Sequence, residues 1–96
     1  MAAIYLLTKL KNEQTPEQRK TLKENLEQIY PGQWFDLGRD CYLVATTRPT
    51  VTRDLAIELG VRDGSLGNYL VTKVEQHAGY ASSTVWEWFG NMRDLE

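Results

Sequence analysis

The tetrapeptide Thr15-Pro16-Glu17-Gln18 is the feature that most constrains this chain, because it fixes where a helix begins after a short β-prone run. Thr is a favoured N-cap, Pro suits the first helical position, and Gln three residues after the cap completes a capping box. Four apolar residues then recur at helical spacing and form one stripe that can lie on a sheet: Leu22, Leu26, Ile29 and Tyr30. Pro31-Gly32 ends this helix.

Strand-like runs lie on both sides of that helix, at residues 2–10, 33–37, 40–47 and 69–76. Gly38-Arg39 separates the middle two, which predicts a hairpin. Thr50 can cap a second helix, which Gly60-Val61 ends in a Schellman motif. The order βαββαβ predicts an α+β, ferredoxin-like domain whose four-stranded antiparallel sheet carries both helices on one face.

A short aromatic helix is predicted at the C-terminus, because Thr84 and Glu87 form a second capping-box pattern. Its apolar side chains surround more than one stripe: Val85, Trp86, Trp88, Phe89 and Met92. One sheet would hide only part of them. We therefore expect this helix to cover the open sheet face, a sheet edge or another subunit.

Length and composition favour one cytoplasmic domain spanning residues 1–96. One cysteine allows no intramolecular disulfide, and no apolar run reaches the ~20 residues of a membrane span. The net charge of −2 gives no global attraction to phosphate backbones. Nucleic acid binding would need a local basic patch.

Catalytic and metal-binding patterns are not evident in the sequence. Cys41 and His77 are the single cysteine and histidine, and their positions suggest neither a nucleophile with its base nor a set of metal ligands. Asp36 and Asp40 bracket the predicted hairpin, where side-chain to backbone hydrogen bonds would shape the turn. We expect no catalytic residue, metal or cofactor, with a small enzyme as an open alternative.

The opening strand, the hairpin around Trp34 and Tyr42, and the helix beyond Gly79 together resemble the small ferredoxin-like subunit of the CRISPR spacer-integration complex. The resemblance implies dimerisation through the sheets and binding of duplex nucleic acid. That family places an Asp at the end of the first strand, where this chain has Thr8 and Lys9. The resemblance therefore implies a dimer without nuclease activity.

The sequence favours a non-enzymatic homodimer that binds a protein partner through aromatic and Arg side chains. The candidate partner-binding residues are Trp34, Arg39, Arg48, Trp86 and Trp88. A nucleic-acid-binding alternative uses side chains on or beside the strands: Tyr5, Lys9, Tyr42, Arg48 and Lys73. A second alternative is a compact inhibitor or regulator of a larger complex, of the kind that phages encode.

Overall fold

The computed structural model describes residues 3–10, 14–48, 50–74 and 83–93. Within these ranges the chain forms four strands and three helices. In chain order they are β1 (Ala3–Lys9), α1 (Pro16–Ile29), β2 (Trp34–Gly38), β3 (Cys41–Thr46), α2 (Thr52–Leu59), β4 (Tyr69–Val74) and α3 (Ser83–Arg93).

The four strands form one sheet in the order β2-β3-β1-β4, and every neighbouring pair is antiparallel. β1 lies in the centre, with Tyr5 opposite Val44 of β3 on one side and Lys73 of β4 on the other. β2 and β4 are the two edges. The chain is thus a small α+β protein with an antiparallel sheet, as the sequence predicts.

The predicted start of α1 is confirmed in detail. Thr15 Oγ1 accepts a hydrogen bond from the Gln18 backbone N–H at 3.1 Å, and Gln18 Oε1 accepts one from the Thr15 N–H at 2.9 Å. Leu22 and Leu26 of the predicted stripe are fully buried. Local hydrogen bonding and the apolar stripe both act within one segment, so sequence reasoning could find this helix.

One face of the sheet packs against α1 and α2. Alternation along β1 and β3 sends every second side chain to this face. Its core contains Tyr5, Leu7, Tyr42 and Val44 from the strands and Leu22, Leu26, Leu55 and Leu59 from the helices. Alternation in the sequence predicts Tyr5 and Leu7 on one face of β1 and Ile4 and Leu6 on the other, and the two cores contain them in this way.

The other face of the sheet is partly covered by α3. Ile4, Leu43 and Ala45 point to this side and pack against Trp88 and Phe89. The helix lies over the end of the sheet that contains Ile4 and Ala45, which are paired with each other. Of the three locations considered for the aromatic helix, the structure places it on the sheet face of its own chain.

The start of α2 differs from the prediction. Val51 is the N-cap and makes no side-chain capping bond, and Thr50 lies one residue earlier. The predicted close is confirmed, because Gly60 has a φ of 82° and Val61 N–H donates to Ala56 O at 2.9 Å. The α3 prediction is also displaced, since that helix begins at Ser83.

The hairpin turn is centred one residue later than predicted. Its central residues are Arg39 and Asp40, with φ of 53° and 61°, and the ladder is irregular between Asp36 and Gly38. Asp36 shapes the turn as expected by accepting a bond from the Gly38 N–H at 2.7 Å. The Asp40 carboxylate instead binds the Arg19 guanidinium of α1, at 2.5 and 3.2 Å. A tertiary ion pair therefore takes the place of the local bond.

Candidate interaction surface

The predicted tryptophans are mostly engaged within the subunit. Trp88 is 9% exposed, and its ring lies 5.6 Å from that of Phe89 and 6.0 Å from that of Phe35, between centroids. Trp86 is half-buried beside Phe89, at 6.1 Å. Trp34, on edge strand β2, is half-buried and packs edge-on against the ring of Tyr42. Trp88 thus contributes chiefly to the protein's own core.

Arg48 is also engaged. Its guanidinium donates to both Glu58 carboxylate oxygens at 2.6 and 2.7 Å and to the Tyr30 hydroxyl at 2.9 Å, and it lies 5.4 Å from the Tyr30 ring centroid. The Tyr30 hydroxyl donates to Glu58. The bond from Arg48 lowers the pKa of Glu58 below its usual value. Arg39, by contrast, is an exposed turn residue.

Two of the residues proposed to stack on bases lie in the core. Tyr5 and Tyr42 are each 1% exposed, and the Tyr5 hydroxyl donates to Thr50 O at 2.9 Å. Burial raises the pKa of Tyr42 above its usual value. Neither ring offers a face to a base in this fold, because both side chains point to the α1 and α2 layer. Lys9 is half-buried, and Lys73 is exposed on β4.

The described ranges hold no cluster of three or more His, Cys, Asp or Glu residues that could bind a metal. The Cys41 thiol is half-buried, and its Sγ lies 3.7 Å from Arg39 O. His77 and Gly79 lie outside the described residues.

The two sheet edges differ in their capacity to pair with another strand. β2 is five residues long, ends in a positive-φ turn and loses its register between Asp36 and Gly38. Bulges and short length both hinder pairing at an edge. β4 keeps an unbroken register with β1 over all six residues, from Tyr69 opposite Lys9 to Val74 opposite Ile4. β4 is therefore the more suitable edge for adding a strand.

The ladder also determines which backbone groups of β4 point outward. Leu10 N–H donates to Asn68 O at 2.8 Å, directly across the β1–β4 register. Directly opposed residues that share hydrogen bonds alternate with those that do not. The N–H and C=O groups of Tyr69, Val71 and Lys73 consequently point away from β1, and those of Tyr69 and Val71 pair with no other strand in the ranges that the structure describes.

Exposed apolar side chains lie beside this edge on the α3 side of the sheet. Leu70 on β4 is 51% exposed, and Leu10, just beyond β1, is 45% exposed. Thr8 lies opposite Leu70 and is half-buried. Two adjacent, half-exposed leucines next to outward-pointing backbone groups provide the apolar component of a protein interface.

A basic cleft lies on the other side of the same strand, between α2 and β4. It has a volume of about 240 Å³. Ala56, Val61, Tyr69 and Val71 supply apolar surface, and Thr52, Arg53 and Arg62 supply polar groups. The Tyr69 hydroxyl donates to Gln14 Oε1 at 3.3 Å. We refer to this feature as the arginine cleft.

Family models, curated proteins and solved structures provide no match to this chain. The surface at β4 is therefore interpreted from its own chemistry. No helix in the described ranges is long and apolar enough to cross a membrane.

Sequence reasoning missed the arginine cleft. Arg53 lies on α2 and Arg62 in the connection between α2 and β4, and no sequence motif links them. The element order is the signal in the sequence that points to this region, because the last strand of a βαββαβ order lies at a sheet edge and the residues beside that edge lie close together.

Proposed function

We propose that this protein is a non-enzymatic homodimeric binding protein whose subunits join through their β4 edges and engage a further protein. One observation carries the proposal: β4 is a regular edge strand with outward-pointing backbone groups, flanked by exposed Leu10 and Leu70. Such an edge is a template for pairing with another chain. A symmetric dimer would bury this edge and so prevent its uncontrolled pairing with other chains.

The element order and the strand order β2-β3-β1-β4 support assignment to the ferredoxin-like fold, with α3 as an addition on the second face. In such a fold the central strands β1 and β3 have hydrogen-bonding partner strands on both sides, whereas each edge strand can still pair with another chain. The single, reduced Cys41 is in keeping with a cytoplasmic protein.

If β4 paired antiparallel with β4 of a second copy, a two-fold axis would pass between the two strands. Tyr69, Val71 and Lys73 would then exchange backbone hydrogen bonds with the same residues of the second subunit. The two sheets would continue as one, and the exposed leucines would lie along the seam. Arg39 and Trp34, at the opposite edge, would stay accessible for a further contact.

The nucleic-acid alternative is favoured by the two cleft arginines, which could bind phosphates. Two features weaken it: Tyr5 and Tyr42 are buried, and the Arg48 guanidinium binds Glu58. A regulator of a larger complex would use the same protein-binding surface, so it is a special case of the main proposal.

The matched variants Lys73→Pro and Lys73→Thr test the proposal. Lys73 is exposed and its N–H points outward, so Pro removes a donor of the proposed seam without breaking the ladder to β1. Thr removes the same charge and keeps the N–H. Light scattering on a sizing column should give twice the 11.1 kDa chain mass for the wild type and Lys73→Thr, and the monomer mass for Lys73→Pro.

Circular dichroism confirms that each variant is folded before its mass is interpreted. Leu70→Glu provides a second test that leaves the backbone intact, because it adds a charge at the seam, and it should also give a monomer. A wild type that is monomeric at high concentration, or a Lys73→Pro protein that stays dimeric when folded, would show that β4 is not the dimer edge.

A further inference from the structure

The arginine cleft contains two cations that are not neutralised. Arg19 and Arg48 bind Asp40 and Glu58. The side chains of Arg53 and Arg62 form no ion pair or hydrogen bond with any residue in the part of the chain that the structure describes. Asp54 and Asp63 follow the two arginines in the chain but are not among the residues that line the cleft, so the charged side chains of its lining are both cations.

The acidic residue that follows Arg62 does not neutralise it. Asp63 Oδ1 accepts a hydrogen bond from the Ser65 N–H at 3.0 Å. This bond lowers the pKa of Asp63 and holds the carboxylate in its own turn. No acidic side chain lines the cleft among the described residues.

The lining of the cleft favours a carboxylate on an aliphatic stem. Ala56, Val61 and Val71 supply no side-chain hydrogen-bond donor, so the inner surface suits the methylene groups of Glu or Asp. The guanidinium groups can bind the carboxylate oxygens in a bidentate manner. Guanidinium groups bind phosphate in the same bidentate manner, so the choice of a carboxylate follows from the proposed protein partner.

We propose that the arginine cleft binds acidic side chains of an extended segment of the protein partner, with Arg53 and Arg62 as its cation pair. This inference rests on the proposed protein-binding function and names the chemistry of the partner. In a dimer joined at β4 the two clefts lie beside the seam, so an acidic segment would also offset repulsion between the two arginine pairs.

A fluorescein-labelled hexaglutamate peptide is the probe, and a labelled hexaglutamine peptide is its neutral match. Fluorescence anisotropy at low salt should show binding of hexaglutamate only. Arg53→Gln with Arg62→Gln should weaken binding about tenfold, the sum expected for two partly exposed charge contacts. Lys20→Ala with Lys23→Ala removes the same charge from α1 and should leave binding within about twofold.

An amide-resonance titration of the wild type with hexaglutamate locates the site independently of any variant. Shifts should concentrate on Thr52, Arg62 and Val71. Equal losses in the two double variants, or shifts spread over α1, would overturn the cleft as the site. Tighter binding of a labelled DNA duplex than of hexaglutamate at equal salt would overturn the choice of an acidic protein.

Light scattering separates this inference from the proposed dimer. A dimer that ignores hexaglutamate retains the dimer proposal and refutes the cleft inference. A monomer that binds hexaglutamate through Arg53 and Arg62 supports the cleft inference and refutes the dimer proposal.

Discussion

Replacing Trp88 with Ala measures how far α3 belongs to the core of its own subunit. Trp88 is 9% exposed and packs between Phe35 and Phe89. A buried aromatic side chain hides roughly 150–250 Å², which at about 25 cal/mol/Å² is worth about 4–6 kcal/mol. Allowing for the part of this area that Ala retains, and for partial collapse of the site, we expect a loss of about 3–5 kcal/mol in the free energy of unfolding.

Trp88→Phe is the matched control. Trp88 Nε1 is buried and finds no acceptor among the described residues. Phe keeps most of the ring packing and removes this unsatisfied donor, whose burial carries a cost of about 1–3 kcal/mol. The control should therefore lose no more than about 1 kcal/mol.

Urea denaturation at one fixed protein concentration is the assay, followed by circular dichroism and by fluorescence of Trp34 and Trp86. With a slope near 1.5 kcal/mol/M, Trp88→Ala should lower the midpoint by about 2–3 M. A fixed concentration matters because dissociation of a dimer would also shift the midpoint.

A Trp88→Ala protein that keeps the wild-type midpoint in urea but has half the solution mass would contradict this packing, because the ring would then stabilise contact between subunits rather than the sheet face. A reduced midpoint with unchanged mass supports the packing of α3 within the subunit.

Two further predictions concern α2 and the Tyr30 cluster. Val51 is 58% exposed and gives α2 no side-chain cap, so Val51→Asn should raise the free energy of unfolding by about 1 kcal/mol in thermal denaturation, whereas Val51→Ala should not. Burial, with a smaller effect of the hydrogen bond to Glu58, raises the pKa of Tyr30 from 10.0 to about 12. The folded protein therefore holds the phenol proton more tightly than the unfolded chain, and the contribution of the neutral phenol to stability is complete below pH 10 and is lost between pH 10 and 12. Denaturation across that window should show Tyr30→Phe losing about 2–3 kcal/mol less than the wild type, and equal losses would contradict the shift.

The candidate surface was harder to predict than the fold, for a physical reason. Arg48 and Trp88 are residue types common at interfaces, and composition gave no sign that Glu58 would bind the first or that Phe35 would pack against the second. Arg53 and Arg62 form one cleft only because α2 packs beside β4. Whether a polar or aromatic side chain is available to a partner depends on contacts between distant segments.

Local patterns in the chain predict the order of the elements, the capping box at Thr15, the Schellman close at Gly60 and the two faces of β1. These features depend on residues within a few positions of one another, where hydrogen bonding and side-chain periodicity act locally. Three other features follow from packing between elements: Asp40 binds Arg19, α3 covers its own sheet, and β4 is the more regular edge of the described sheet. Each of these depends on the arrangement of whole elements, which no local pattern in the chain encodes.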